Sequence, residues 1–264
     1  MNNLPIGVFD SGVGGLSILK ELQSRLPNES YIFFADQKNV PYGGKTKEEL
    51  VALTFKIMDF LTAQKIKLAV VACNTASCHA LEELRKAFPL PIVGVVPAIK
   101  PAAEQTKTGK IALISTPATA KSSYVTELIN KYANNVEVLR IGCAGLEDVV
   151  ETGQLHGPRT YELLNKYVLP LKQEGIDHVV LGCTHYPFLK EEIATILGPE
   201  VTLIDSGKAV ALRVEYLLNE HNLKSSLDKP SNQFFTNKDA DDFSRVASEL
   251  LGYQVVAQYV SLSQ

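Results

Sequence analysis

The sequence predicts an α/β fold of two similar lobes, each with a mostly parallel central sheet, related by pseudo-two-fold symmetry. Three observations carry that expectation. Short apolar runs of β type alternate with segments of helical periodicity along the whole chain. Two of those runs end in a cysteine in matching contexts, VVACNTAS at 70–77 and VVLGCTHYP at 179–187. The spacing also repeats: 63 residues separate Asp10 from Cys73, and 67 separate Thr116 from Cys183. The expected lobes are 1–97 plus 208–264, carrying Asp10 and Cys73, and 98–207, carrying Cys183. Ligands of open α/β sheets bind beyond the carboxyl ends of the strands, so the active site is expected in the cleft between the lobes.

The elements follow in order. IGVFD (6–10) reads as a strand, SGVGG as a turn, and LSILKELQSRL as a helix with Leu19, Leu22 and Leu26 at helical spacing. YIFFAD (31–36) is a second strand and QKNVPYGGK a loop. Thr46 and Glu49 have capping-box spacing, and Leu50, Leu53, Ile57, Phe60 and Leu61 line one face of the helix that follows. LAVVAC leads to Cys73, ASCHALEELRKAF is the next helix, and PIVGVVP closes the set as a buried strand. The second set opens with KIALIST (110–116), followed by PATAKSSYVTELINKYA as one helix opening near a proline. VEVLRIG is a strand; CAGLEDVVETG and PRTYELLNKYVLPLKQEG are helical, with Pro170 a point of interruption. HVVLGC leads to Cys183, a helix runs from Phe188 to Leu197, and VTLIDS (201–206) ends the set. KAVALRVEYLLNEH is a long amphipathic helix and KSSLDKPSNQ the one linker-like stretch. An FFTN strand, a helix from Asp239 to Leu251 and a QVVAQYV strand complete the chain.

At 264 residues the chain can bury one large core or two of ordinary size. A net charge of −3 with scattered basic residues leaves no footprint for nucleic acid and no patch for an anionic membrane. The N-terminal MNNLPIGVFDSG lacks the pattern of a signal peptide, and no apolar run is long enough to span a bilayer. The expected location is the cytoplasm, where the four cysteines (73, 78, 143 and 183) remain thiols.

Two thiols in equivalent places suit one reaction above others. Removing a proton from carbon and returning one to the opposite face inverts a stereocentre, and it needs a base and an acid that exchange roles. An ordinary thiol, with a pKa of about 8.5, can be either. Both cysteines are expected at helix N-termini, which favour the thiolate. Asn74, Thr75 and Thr184 can offer donors to a carboxylate, as can Ser11 and the amides of Gly12, Gly14 and Gly15. Asp10 and His185 are titratable groups at the same strand ends.

The segments IGVFDSGVGGLSILKEL, VPYGG, ACNTAS and LGCTHYPFL resemble the signature segments of the glutamate racemases, cofactor-independent members of the aspartate/glutamate racemase superfamily. The resemblance runs across nearly the whole chain. It implies a two-base mechanism with no cofactor, glutamate as the small-molecule substrate, supply of D-glutamate for peptidoglycan, and a homodimer. Carried over by motif, Cys73 and Cys183 are the two proton donors and acceptors, Asp10 assists the first and His185 the second. Asp10, Ser11, Tyr42, Gly43, Asn74, Thr75, Thr184 and His185 contact substrate, with Thr116 and Thr119 beyond them. Glu151, in LEDVVETG, sits where the family often has an acidic residue near the cleft.

Plainer readings compete residue by residue. Free cysteines are often simply buried, which is the reading taken for Cys78 and Cys143. Cys78 and His79 point different ways on one helix and make a poor metal pair. The DSGVGG turn lacks the full Gly-x-Gly-x-x-Gly pattern of a nucleotide loop. Asp10 can merely cap that turn, His185 can be a structural histidine, and Tyr42-Gly43-Gly44 can be a surface turn. Among functions, the alternatives are racemisation of aspartate, a cysteine hydrolase using Cys183 with His185, and a binding module for acidic amino acids.

Overall fold

A strand covered on both faces needs no polar alternation, so continuous apolar runs belong at the centre of parallel sheets. The computed structural model, which describes residues 2–262, puts them there. The chain forms β1 (Ile6–Asp10), α1 (Leu16–Arg25), β2 (Tyr31–Ala35), α2 (Lys47–Ala63), β3 (Leu68–Val71), α3 (Asn74–Ala87) and β4 (Ile92–Gly94). Next come α4 (Ile99–Gln105), β5 (Lys110–Ser115), α5 (Pro117–Lys121), α6 (Ser123–Tyr132), β6 (Glu137–Gly142), α7 (Leu146–Glu151) and α8 (Pro158–Tyr167). β7 (His178–Leu181), α9 (Lys190–Leu197), β8 (Thr202–Ile204), α10 (Gly207–Glu220), β9 (Asn232–Thr236), α11 (Ala240–Leu251) and β10 (Ala257–Tyr259) follow.

Two units result: residues up to Val95 with those from Gly207 on, and Val96–Ser206. The first holds a sheet in the order β10-β9-β2-β1-β3-β4, the second a sheet in the order β6-β5-β7-β8, and every strand pair is parallel. The four-strand order of the second unit repeats β2-β1-β3-β4 of the first, so β3 and β7 are equivalent strands. In the first sheet, in-register neighbours Phe235, Phe34, Phe9 and Val71 face the core that includes Leu50, Ile57 and Leu61 of α2. One residue back, Phe234, Phe33, Val8 and Val70 face the other way, where the Phe33 ring lies 6.2 Å from that of Phe243 on α11. In the second unit Ser206 Oγ donates to the Val96 carbonyl at 2.6 Å, tying its first residue to its last.

The capping box forms as the spacing predicts: Thr46 Oγ1 accepts from the Glu49 amide at 3.2 Å and Glu49 Oε2 from the Thr46 amide at 2.7 Å. Other segments differ from their sequence expectation. The single helix expected over PATAKSSYVTELINKYA is two, because Ser122 adopts an extended backbone. Its hydroxyl closes α5 on the Thr119 carbonyl and caps α6 at the Val125 amide. The 99–105 stretch, unassigned by pattern, is α4. The expected helix from Phe188 starts instead as a 3-10 turn, Tyr186–Leu189, with α9 beginning at Lys190. α8 stops at Tyr167, and Pro170 lies in a 3-10 turn, Leu169–Gln173. Only Leu146–Glu151 of CAGLEDVVETG is helical.

At the opposite strand ends, Lys67 Nζ meets Glu29 Oε2 at 2.5 Å with both side chains buried. Lys67 also donates to the Asn2 carbonyl at 2.7 Å, and Glu29 Oε1 accepts from the Ser225 amide at 2.8 Å. Removing one partner strands the other charge in the interior. Lys67→Met is expected to lower unfolding free energy by about 3–5 kcal/mol, while Lys67→Met with Glu29→Leu recovers much of the loss. Urea denaturation checks both, and equal losses in the single and double variants would contradict the pairing.

Candidate active site

The candidate residues divide between the two units. In the first, β1 delivers Asp10, fully buried, to the SGVGG turn. Asp10 Oδ1 accepts from the Ser11 amide at 2.7 Å and the Ser11 hydroxyl at 3.3 Å; Oδ2 accepts from the Gly15 amide at 2.5 Å. The turn closes this tightly only because residue 15 has no side chain. A Cβ there would lie 2.6 Å from Asp10 Cβ and 3.1 Å from Ala72 Cβ. Of the amides expected as donors to a ligand, that of Gly15 is therefore engaged with Asp10. Cys73 follows β3 and is the N-cap residue of α3, its carbonyl accepting from the Ser77 amide at 2.9 Å. Its Sγ lies 3.9 Å from Ser11 Oγ, so the thiol meets the Asp10 turn through Ser11. Asn74 and Thr75, the first residues of α3, are buried beside it. Asn74 Nδ2 is buried with no hydrogen-bond partner among the described residues.

Tyr42 and Gly43 lie in a 3-10 turn, Tyr42–Gly44. The Tyr42 ring packs in the core cluster that includes Cys73, and its hydroxyl donates to Asp36 Oδ2 at 2.5 Å. Only the backbone of this turn is left to reach a ligand. Asp36 escaped the sequence reading. It follows β2 and also accepts from Asn39 Nδ2 at 2.8 Å and from Asn237 Nδ2. Burial pushes its carboxyl up, and the hydrogen bonds from Tyr42, Asn39 and Asn237 offset this only in part. The available signal was YIFFAD ending in an acid as IGVFD does, but the partner Asn237 is 201 residues away.

In the second unit Cys183 follows β7. Gly182 lets the backbone in: a Cβ there would sit 2.5 Å from Leu113 Cδ1 and 3.1 Å from the Ile114 carbonyl. The expectation of a helix N-terminus at this thiol is corrected. The Cys183 carbonyl accepts from the Tyr186 amide at 3.1 Å in a turn, and the α-helical partner is unavailable because residue 187 is proline. His185 takes the place of the helix. Its Nδ1 lies 3.5 Å from Cys183 Sγ, and its Nε2 lies 2.6 Å from Glu151 Oε1. Burial alone would push the imidazole toward the neutral form, but Cys183 and Glu151 outweigh it and hold its pKa well above the usual range. Thr184 is buried next to these groups. Thr116 and Thr119 bond to each other at 3.1 Å, Thr116 Oγ1 also accepting from the Thr119 amide as the cap of α5.

The other two cysteines have plainer settings. Cys143 is fully buried, and burial first and Cys183 second push its thiol up to about 12, which keeps it protonated. Cys78 sits within α3. Among the described residues no group of three or more His, Cys, Asp or Glu is placed to hold a metal, and no helix is long and apolar enough to cross a membrane.

A sulfur thus lies beyond each equivalent strand, with an acid turn at one and a His–Glu pair at the other. A model of Asp/Glu/Hydantoin racemases matches residues 6–214. The chain belongs to the Asp/Glu/hydantoin racemase family. Within that racemase family, a glutamate racemase of Herpetosiphon aurantiacus is 44% identical over 247 residues, 93% of this chain and 97% of that one. The crystal structure of glutamate racemase from Francisella tularensis in complex with D-glutamate is similar with a TM-score of 0.86 at 32% identity, covering 99% of each chain. That of the Escherichia coli enzyme with L-glutamate and the activator UDP-MurNAc-Ala is similar with a TM-score of 0.86 at 35% identity, over 98% of this chain and 100% of that one.

The raised pKa of His185 fixes the sign of a pH effect. A histidine charged more readily in the folded state contributes stability that is fully present below its unfolded pKa of about 6.5 and lost as pH rises through the higher folded value. Glu151→Gln removes the acceptor's charge and is expected to cost about 1.5–3 kcal/mol near pH 6, the gap narrowing toward pH 10. Urea unfolding of both proteins at pH 6, 8 and 10 tests this; a gap that widens with pH would contradict it.

Proposed function

We propose that this racemase interconverts L- and D-glutamate without a cofactor, with Cys73 and Cys183 as its two bases. The observation that carries the reading is their equivalence: each sulfur lies just beyond the strand that follows the first strand in a repeated 2-1-3-4 sheet. One thiolate takes the Cα proton as the opposite thiol delivers its own to the other face of that carbon. The enzyme ends with the two protonation states exchanged, and the reverse reaction restores them. The partial positive charge of the α3 N-terminus favours a thiolate at Cys73, and at the second thiol His185 Nδ1 lies within hydrogen-bonding reach to exchange a proton. Asp10 holds the turn against the first thiol, and Glu151 orients His185 at the second. The buried, unpartnered Asn74 Nδ2 at the head of α3 is suited to a substrate carboxylate, which would satisfy it. Ser11, Thr75, Thr184 and the backbone at Tyr42 and Gly43 complete the contacts. Glutamate rather than aspartate is favoured by the glutamate complexes of the relatives. In this reading the enzyme works in the cytoplasm as a homodimer and supplies D-glutamate for peptidoglycan.

One observation favours a second reading. Cys183, His185 and Glu151 are hydrogen-bonded in the order of a cysteine hydrolase triad. That activity would need one thiol and a covalent acyl intermediate, and it would leave Cys73 without a task.

The test is exchange in deuterated water with each enantiomer of glutamate, and of aspartate in parallel. Solvent deuterium is expected at Cα of product from both directions with glutamate. Cys73→Ala and Cys183→Ala should each lower kcat for racemisation by roughly 10²–10⁴-fold. Full turnover in either variant would remove the two-base mechanism; an acyl adduct on Cys183 by mass spectrometry would favour the hydrolase.

A further inference from the structure

Glu147 is a buried carboxyl on α7 that the mechanism above does not use. It lies one helical turn before Glu151 on α7, so the two acids share a face of that helix. Glu151 is the one bonded to His185. Glu147 is only 7% exposed, and its Oε2 is buried without a hydrogen-bond partner among the described residues. A position that served packing alone would avoid this cost, because an apolar side chain of similar size leaves no oxygen unsatisfied.

We propose that Glu147 is a positioning residue of the Cys183 half-site, a second acid behind His185 that sets how firmly the imidazole holds its proton. Through that imidazole it sets how readily Cys183 exchanges its own. The proposal rests on Cys183 being one of the two bases. α7 packs against the Tyr186–Leu189 turn that directly follows His185. The titratable groups around Glu147 are Asp148 and Glu151 on its own helix, His185 and Tyr186 from the packed segment, and Cys143 from the preceding loop. From α8, the buried Thr160, Leu163 and Leu164 carry no charge, and Tyr167 reaches the Ala144 carbonyl through its hydroxyl at 3.2 Å. His185 is the only one of these that can become cationic. Burial pushes the Glu147 carboxyl up, while its own amide, the charge on His185 and the Gly145 amide offset this in part. An acid held in this way answers to the charge on the imidazole.

The experiment is a carbon-13 NMR titration of labelled histidines, with His185 assigned by the signal lost in His185→Asn. In Glu147→Gln the His185 midpoint is expected to fall by about one pH unit, and in Glu147→Leu by at least as much. Glu147→Asp should restore most of the shift, and His79, His156, His178 and His221 should not move. The alkaline limb of kcat against pH should fall by the same amount. An unchanged His185 midpoint in both Glu147→Gln and Glu147→Leu overturns the proposal, as does failure of both variants to fold, which would make the carboxyl a packing element. Because the titration needs no turnover, a shifted midpoint in a chain that does not racemise glutamate would keep the coupling of Glu147 to His185 and remove the functional reading instead.

Discussion

The constraint on which the rest turns is the placing of a sulfur just past a strand that is covered on both faces. β3 and β7 are buried along their whole length. The residue beyond such a strand inherits a backbone held by ladder hydrogen bonds on both sides and by side chains above and below. Neither Cys73 nor Cys183 needs a loop of its own to fix it. Close approach of neighbouring backbone completes each setting, at Gly15 against Asp10 and Ala72 and at Gly182 against Leu113 and Ile114.

From the same sheet order the two units reach different local electrostatics, and a single residue type explains why. Four residues after Cys73 is Ser77, whose amide bonds back to the Cys73 carbonyl and starts α3 at once. Four residues after Cys183 is Pro187, which has no amide to give. The chain there makes a tighter turn, α9 begins later, and the dipole that α3 offers at Cys73 has no counterpart beside Cys183. An imidazole held between the sulfur and a carboxylate takes its place. The turn at Cys73 therefore presents backbone partial charge, and the segment at Cys183 an imidazole whose charge changes with pH.

Legibility follows the same division. The strand–helix alternation, the capping box at Thr46 and Glu49 and the helix that starts at Cys73 are local patterns, and they read correctly because apolar period and capping chemistry act over a few residues; the helix start expected at Cys183 did not form. Ser122 was harder: within a helical pattern, nothing in one dimension says that its hydroxyl will cap one helix and end another. Asp36 was missed because its partners Asn39, Tyr42 and Asn237 converge only in the fold. The tail that carries Asn237 bears little motif, yet β9 pairs directly with β2 and brings that amide to the end of the sheet.

By itself the sequence determined the class of fold, the repeat and the positions of both thiols, since these depend on hydrophobic period and on short spacings. It also held the proline, Pro187, that denies Cys183 a helix. Only the tertiary structure decided which acids bond to which groups: Asp10 to the Gly15 amide, Asp36 to the Tyr42 hydroxyl, Glu151 to His185. The physical reason is that a carboxylate's charge state and partner depend on burial and on donors within a few ångströms. Those distances are set by how strands and helices pack, not by their separation along the chain.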